Sequence, residues 1–278
     1  MSVIRSDLGP WRERRRFWDD IGLNSREGRE GVDLYNMPDD YGGKGFIADP
    51  STFDPVLAEA SYGWYCPDGG TILDPFAGGS VRGLIAGNRG YAYTGVDLSG
   101  SQVAANQKQS TEWAMRNLLT VPPRWVEGDS AKTLSSFPDA SFDYVFTCPP
   151  YHSLERYSDH PNDLSAMPWA RFEDAYRKII GESVRCLTAD RFATWVVGDV
   201  RDSAGRIRGL APLTVAAHRA AGMHLYNDAV LLNVIGTAAL RLPAQWRASR
   251  KMGRIHQYVL TFVKGDAKRA TRMLPPFK

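Results

Sequence analysis

From residue 51 onward the apolar positions alternate between two rhythms, the 3.6-residue period of a half-buried helix and short apolar or alternating runs of strand length. A helix-like stretch, "FDPVLAEASYGWY", leads to the strand "TILD" and a glycine-rich turn, "PFAGGSVRG". The pattern then predicts a helix over 81–88, the strand "AYTGVD" at 92–97, a helix across 99–118 and a short strand near "RWVEGD". An apolar run at 142–147, a long loop, a helix near 171–187 and the strand "FATWVVGD" at 192–199 follow. Strands and helices alternating at this spacing imply an α/β domain, with a parallel sheet covered on both faces. "DAVLLNVIG" and "HQYVLTFVKG" read as two strands with no long helix between them, an antiparallel pair that closes the sheet. Residues 1–45 are polar and glycine-rich, with a basic helix-like piece, "WRERRRFWDDIG", and read as an arm lying on a domain that spans 46–278.

Composition narrows the class. With 43% hydrophobic and 11% aromatic residues the chain can bury a real core. Cys66, Cys148 and Cys186 are far apart, with no CxxC pair and no histidine cluster, so neither a disulfide framework nor a metal site is expected. That pattern suits a reducing, cytoplasmic setting. The N-terminus is charged where a signal peptide needs an apolar core, and no apolar run approaches the ~20 residues of a membrane span. A net charge of +3 is too small to argue for nucleic acid by itself, so the placing of the charges matters more.

The glycine-rich turn follows a strand and opens a helix, where a backbone without Cβ lets a ligand approach closely. Asp97 ends the next strand, where an acid commonly holds ribose hydroxyls, and the pair suggests an adenosine-containing cofactor. The fingerprints GxGxxG and GxxxxGK[ST] are absent, which argues against NAD and nucleoside triphosphates. Asp129, in "VEGDS", is either a third ligand at a strand end or the cap of a following helix. The run "FDYVFT" then stops in "CPPY", two prolines that cannot continue a sheet ladder, flanked by a thiol and an aromatic ring.

Taken in order, "DPFAGG", the acid at 97, "GDS" and "CPPY" resemble the motifs of S-adenosylmethionine-dependent DNA amino-methyltransferases, which methylate N4 of cytosine or N6 of adenine. The resemblance spans about residues 46–265, its motif order is similar to the family's gamma arrangement, and "CPPYHSLERYSDHPNDLS" and "SRKMGRIHQYVLTFVKGD" resemble phage and prophage modification methylases. It implies a Rossmann-like class I methyltransferase fold: a seven-stranded, mostly parallel sheet with an antiparallel last strand and helices on both faces. It also implies that Asp74, Phe76, Ala77, Gly78 and Gly79 line the methionine and ribose part of the cofactor with Phe53 and Pro55 beside them. Asp97, with Leu98, would take the ribose hydroxyls, and Asp129, with Ser130, the adenine amino group. Cys148, Pro149, Pro150 and Tyr151 stand at the family's catalytic motif, whose first side chain and proline carbonyl accept the target amino group while the ring stacks on the flipped-out base.

The sequence departs from the family in reading "AGGS" for the commoner "AGSG", and in placing Cys148 where Asp, Asn or Ser is usual. A thiol is a weak acceptor, so either the Pro149 carbonyl and another group carry more of the load or the chemistry differs. Pyrimidine C5 modification with Cys148 as nucleophile is one rival, although in that family the thiol follows a proline in "PCQ" and here it precedes two. RNA amino-methylation and a non-catalytic cofactor-binding and DNA-binding regulator are the others. Double-stranded DNA as partner is favoured by residues 236–255, where Arg241, Arg247, Arg250, Lys251 and Arg254 accompany Trp246 without an acid, in what reads as a recognition loop. Arg12, Arg14, Arg15 and Arg16 add phosphate contacts or form a solvated helix face, and a homodimer is left open. The long polar insert after the catalytic motif is expected to cover the target pocket, with His152 and Tyr157 as candidates.

Overall fold

The computed structural model describes residues 2–24, 27, 33–34, 52–152, 155–156, 160–232 and 238–276. In chain order the elements are β1 (Val3–Arg5), α1 (Gly9–Asp20), β2 (Asp33–Leu34), α2 (Pro55–Tyr65), β3 (Thr71–Asp74), α3 (Val81–Asn88), β4 (Ala92–Asp97), α4 (Gly100–Met115), β5 (Arg124–Glu127) and α5 (Ser130–Thr133). Then follow β6 (Phe142–Thr147), β7 (Glu155–Arg156), α6 (Trp169–Cys186), β8 (Leu187–Val197), α7 (Leu210–Ala220), β9 (Met223–Leu232), α8 (Ala238–Ser249), β10 (His256–Lys264) and α9 (Ala267–Arg272).

The main sheet has the order β1-β9-β10-β8-β6-β3-β4-β5, and β2 pairs with β7 in a separate antiparallel ribbon. Only β10 runs against its neighbours, wedged between β8 and β9. The sheet separates two apolar layers, and the central strands feed both by alternation: Val145, Ala193, Trp195 and Val197 face α6 and α7, while Tyr144, Phe146, Phe192 and Val196 face α2 and α3. Helix α6 shows how sequence writes such a layer: Phe172, Tyr176, Ile179, Ile180, Ser183 and Val184 recur at helical spacing and, with Cys186, are the residues it buries. Helix starts are capped where the sequence offers an acceptor. Asp54 receives the Val56 and Leu57 N–H groups ahead of Pro55, and Ser99 receives Gln102.

Two expectations change. The main sheet has eight strands, because Val3–Arg5 adds to the free edge of β9 in parallel register, Val3 opposite Val230. Between β9 and β10, where no long helix was expected, α8 occupies twelve residues. Its Pro243 sits inside the helix, a position that removes one ladder bond and that sequence reading takes for a loop. The piece "WRERRRFWDD" is packed into the domain: the Trp18 side chain is fully buried, its indole N–H donates to Glu59, and Trp11 donates to Asp54. Among the described residues no helix is long and apolar enough to cross a membrane.

Candidate cofactor and catalytic site

β3, β4, β5, β6 and β8 are parallel, so their carboxyl ends share one edge of the sheet. The chain leaves β3 to build β4 and β5 on one side and β6 and β8 on the other, which makes the crevice between β3 and β6 the topological switch point where open α/β sheets bind ligands. Both motifs named from the sequence issue there: the glycine-rich turn from β3 and "CPPY" from β6.

The turn is held from three sides. Gly78 has a φ of 52°, a conformation that strains any residue with a Cβ, and its N–H donates to the Asp97 carboxylate at 2.7 Å. The other oxygen of Asp97 receives the Ser99 N–H at 2.8 Å, so backbone fixes the carboxylate plane at the end of β4. Asn106 of α4 donates to the Gly78 carbonyl at 2.7 Å. The Ala77 N–H reaches the Val96 carbonyl, and Gly95 makes that approach possible, since a Cβ at 95 would lie 2.8 Å from the Ala77 Cβ.

Asp74 is fully buried, and four donors converge on it. Arg82 Nε at 2.5 Å and the Tyr93 hydroxyl at 2.8 Å reach one oxygen; the Thr147 hydroxyl at 2.6 Å and the Phe76 N–H at 3.0 Å reach the other. The Arg82 guanidinium also donates to the Phe76 and Ala77 carbonyls and lies 4.6 Å from the Phe53 ring centre. Burial works against its charge, yet Asp74 beside it holds the Arg82 pKa above the ordinary arginine value. Arg82, Tyr93 and Thr147 were not singled out in the sequence. The one available signal was an arginine two residues after the glycine-rich turn's serine, inside an otherwise apolar helix start.

At the third strand end, Asp129 caps α5 through the Ala131 N–H at 2.9 Å, and its second oxygen receives Asn162 at 3.1 Å. The Ser130 hydroxyl donates to the Pro75 carbonyl at 2.6 Å, which ties this end to the first turn. Leu98 and Gly79 are half-buried, and Pro55 is buried in the start of α2. The Phe76 ring points to the other layer, edge-on to Trp195 and stacked on Tyr176.

Beyond β6, Pro149 is buried, and Cys148, Pro150 and Tyr151 are half-buried. The Cys148 sulfur lies 3.3 Å from the Tyr151 hydroxyl, which donates at 3.4 Å to the Val196 carbonyl. The Tyr151 ring rests on Gly198, where a Cβ would stand 2.9 Å from a ring carbon. His152 is buried at a φ of 51°; its Nε2–H donates to the Met167 carbonyl at 2.8 Å, and its ring is edge-on to Trp169 and Phe172. Burial lowers its pKa from the ordinary histidine value, against the pull of its bond to the Met167 carbonyl. Tyr157 lies outside the described residues.

The basic segment between β9 and β10 carries Arg247 and an exposed Trp246 on α8, with Arg250 lying 5.6 Å over the Trp246 ring. Lys251 lies across Gly205 in the loop after β8, and Arg254 reaches over Tyr258. Among the described residues, Arg247, Arg250, Lys251 and Arg254 make no ion pair, and the side chain of Arg241 lies outside them. On α1, Arg14 and Arg15 are turned inward to Glu59 and Asp54, and Arg12 and Arg16 are exposed. No group of three or more potential metal ligands occurs among the described residues.

A methyltransferase domain model matches residues 76–164, from the glycine-rich turn through "CPPY" into the insert. No curated protein sequence matches the chain. Among solved structures, the [4+2]-cyclase SpnF is 16% identical, with 91% of this chain and 95% of that one covered and a TM-score of 0.53. An S-adenosylmethionine-dependent methyltransferase from Methanosarcina mazei is 14% identical, with 72% and 95% covered and a TM-score of 0.50. A candidate DNA modification methylase from Thermus thermophilus is 23% identical over 50% of this chain, with a TM-score of 0.37, and the match spans about half of that protein's length, 51%. The chain therefore has the Rossmann-like α/β fold of methyltransferases, and the domain match supports methyl transfer with S-adenosylmethionine as cofactor.

Proposed function

We propose that the chain transfers a methyl group from S-adenosylmethionine to an exocyclic amino group of DNA, N4 of cytosine or N6 of adenine, on a base taken out of the stack. The observation that carries the reading is the exit of Pro149–Tyr151 from β6 at the switch point, beside the turn that Asp97 holds. The turn fits the cofactor: Gly78 presents no Cβ, and the Asp97 carboxylate is already aimed by two backbone N–H groups. When bound, the cofactor supplies an electrophilic methyl on a sulfonium. An amine conjugated to its ring is a poor nucleophile, and the Pro149 carbonyl, fixed between two prolines, would accept an amino hydrogen and favour a geometry with an available lone pair. The Tyr151 ring offers a platform for the extruded base, offsetting roughly 1–3 kcal/mol of unstacking. On methylation the target nitrogen would give up one proton to solvent water, with the Pro149 carbonyl holding the amine in place. Arg247, Arg250, Lys251 and Arg254 supply phosphate contacts, with Trp246 among them as a stacking or wedging group.

The test is incubation with labelled cofactor and double-stranded DNA of known sequence, followed by mass spectrometry of the nucleosides. N4-methylcytosine or N6-methyladenine is expected. 5-Methylcytosine, or label in RNA alone, overturns the reading. Cys148→Ser should retain transfer, since the thiol is given no covalent role, and total loss with cofactor binding intact would count against the mechanism.

A further inference from the structure

We propose that Arg82 is a positioning residue that, through Asp74 and Thr147, sets the cofactor turn and the catalytic segment as one unit; the proposal rests on S-adenosylmethionine as the cofactor and not on DNA as the substrate. Arg82 is the second residue of α3, and side chains in a helix lean toward its N-terminus, so the guanidinium reaches back beneath the turn. There it touches four of the positions assigned to the cofactor. Its Nε binds Asp74, one terminal nitrogen donates to the Phe76 carbonyl at 2.5 Å and the Ala77 carbonyl at 3.0 Å, and its plane lies under Phe53. Its own carbonyl is held by the Tyr62 hydroxyl at 2.9 Å.

Asp74 is the hinge of this arrangement. One oxygen faces Arg82 and Tyr93; the other faces the Phe76 N–H and Thr147, the residue directly before Cys148. Asp74, Arg82, Tyr93 and Thr147 are buried, and Asp74 acts on the turn from below through its partners. A planar fork with fixed donors is what holds two successive carbonyls and a carboxylate together; an ammonium is a point charge and cannot. A buried ion pair is also weak evidence for stability alone, because apolar residues of similar volume often serve as well. The geometry of the fork, more than its charge, is therefore the property in use.

The experiment is calorimetric binding of S-adenosylhomocysteine to the full chain, for wild type, Arg82→Lys, Arg82→Met, Asp74→Asn and the Arg82→Met/Asp74→Asn double variant. Arg82→Lys keeps the charge and loses the fork, and should bind about tenfold more weakly, as expected for one lost charged hydrogen bond. The double variant should lose no more than the worse single variant, within about threefold, because both substitutions remove the same brace. Wild-type affinity in Arg82→Lys, or losses that multiply in the double variant, overturns the proposal.

Thr147→Val leaves the ion pair in place and gives a second arm should the Arg82 variants fail to fold. In wild type, bound S-adenosylhomocysteine should slow amide exchange both at 76–79 and at Tyr151 and His152. Thr147→Val should keep the first protection and lose the second, and Thr147→Ser should keep both. Protection of both segments in Thr147→Val sinks the coupling. A wild-type chain that does not bind S-adenosylhomocysteine removes the cofactor reading on which the proposal stands.

Discussion

Gly198 is the most economical place to test whether the Tyr151 ring is positioned for chemistry. The residue follows β8, and its missing side chain is where the ring lies: an added Cβ would stand 2.9, 3.2 and 3.4 Å from three ring carbons. For Gly198→Ala the ring must retreat by about 0.5 Å to reach ordinary contact, a small overpacking that costs about 1 kcal/mol of stability. Its hydroxyl sits at 3.4 Å from the Val196 carbonyl, at the outer limit of a hydrogen bond, so that contact resists the push only weakly. A misplacement of 1 Å at a reacting centre can cost about a hundredfold, so half of that should lower kcat on DNA about tenfold. Gly198→Ala leaves both residues of the Gly78–Asp97 contact in place, so S-adenosylhomocysteine affinity should stay within about twofold. The assay is label transfer at saturating cofactor beside calorimetry on the same preparation. Full kcat in Gly198→Ala would refute the assigned role of the ring, and a loss confined to cofactor affinity would show that the ring serves the other site.

Three further outcomes follow from the same geometry. Tyr151→Phe keeps the aromatic platform and should keep kcat/KM within about threefold, whereas Tyr151→Ala should lose about 5- to 150-fold, the worth of one base stacked on an aromatic ring. Arg250→Ala and Lys251→Ala should each lower the slope of log K against log salt by about 0.9 in DNA-binding titrations between about 50 and 200 mM salt, and an unchanged slope removes these two residues after α8 from the interface. Burial pushes the His218 imidazole down to about 3, against the pull of its bond to the Thr214 carbonyl. Below the ordinary 6.5 the unfolded chain therefore binds a proton that the folded chain refuses, and stability should fall as pH drops, by about 2 kcal/mol at pH 5. His218→Gln should flatten that acid limb in urea titrations, and equal slopes for the two proteins would contradict it.

The parts of this protein that were legible in the sequence are those written in short-range pattern. β4 and β6 have the bounds that their apolar runs predict, as does α3, and Asp54, Ser99 and Asp129 each cap a helix where an acceptor precedes an apolar period. What was not legible is set by distant partners. β1 is three residues long and forms because β9 offers it an edge; nothing within "VIR" distinguishes it from a loop. α8 contains a proline and was read as a loop, and α7 was not read at all. Arg82 was passed over because an arginine near a helix start is ordinarily a solvated surface residue; that it is buried depends on Asp74, eight residues earlier, and on Thr147, 73 residues from Asp74.

Three aspartates end three neighbouring parallel strands or the turns just after them, and the sequence offers no way to rank them. Burial and partners divide their work. Asp74 has no exposure and four donors, so its carboxylate is spent on Arg82, Tyr93, Thr147 and the Phe76 N–H. Asp129 spends one oxygen on a helix start and receives Asn162, a residue of the insert, on the other, which makes it the point where the insert meets the sheet edge. Asp97 is half-buried, and the Gly78 and Ser99 N–H groups each take one of its oxygens and fix its plane. A carboxylate that must meet a ligand has to remain reachable while its direction is fixed; Asp97 and Asp129 are both half-buried, and Asp97 has at its side Gly78, which has no Cβ to obstruct the approach. The same residue type at equivalent strand ends thus acts as brace, junction and candidate ligand, and what separates the three roles is burial and the kind of partner that the surrounding fold aims at each.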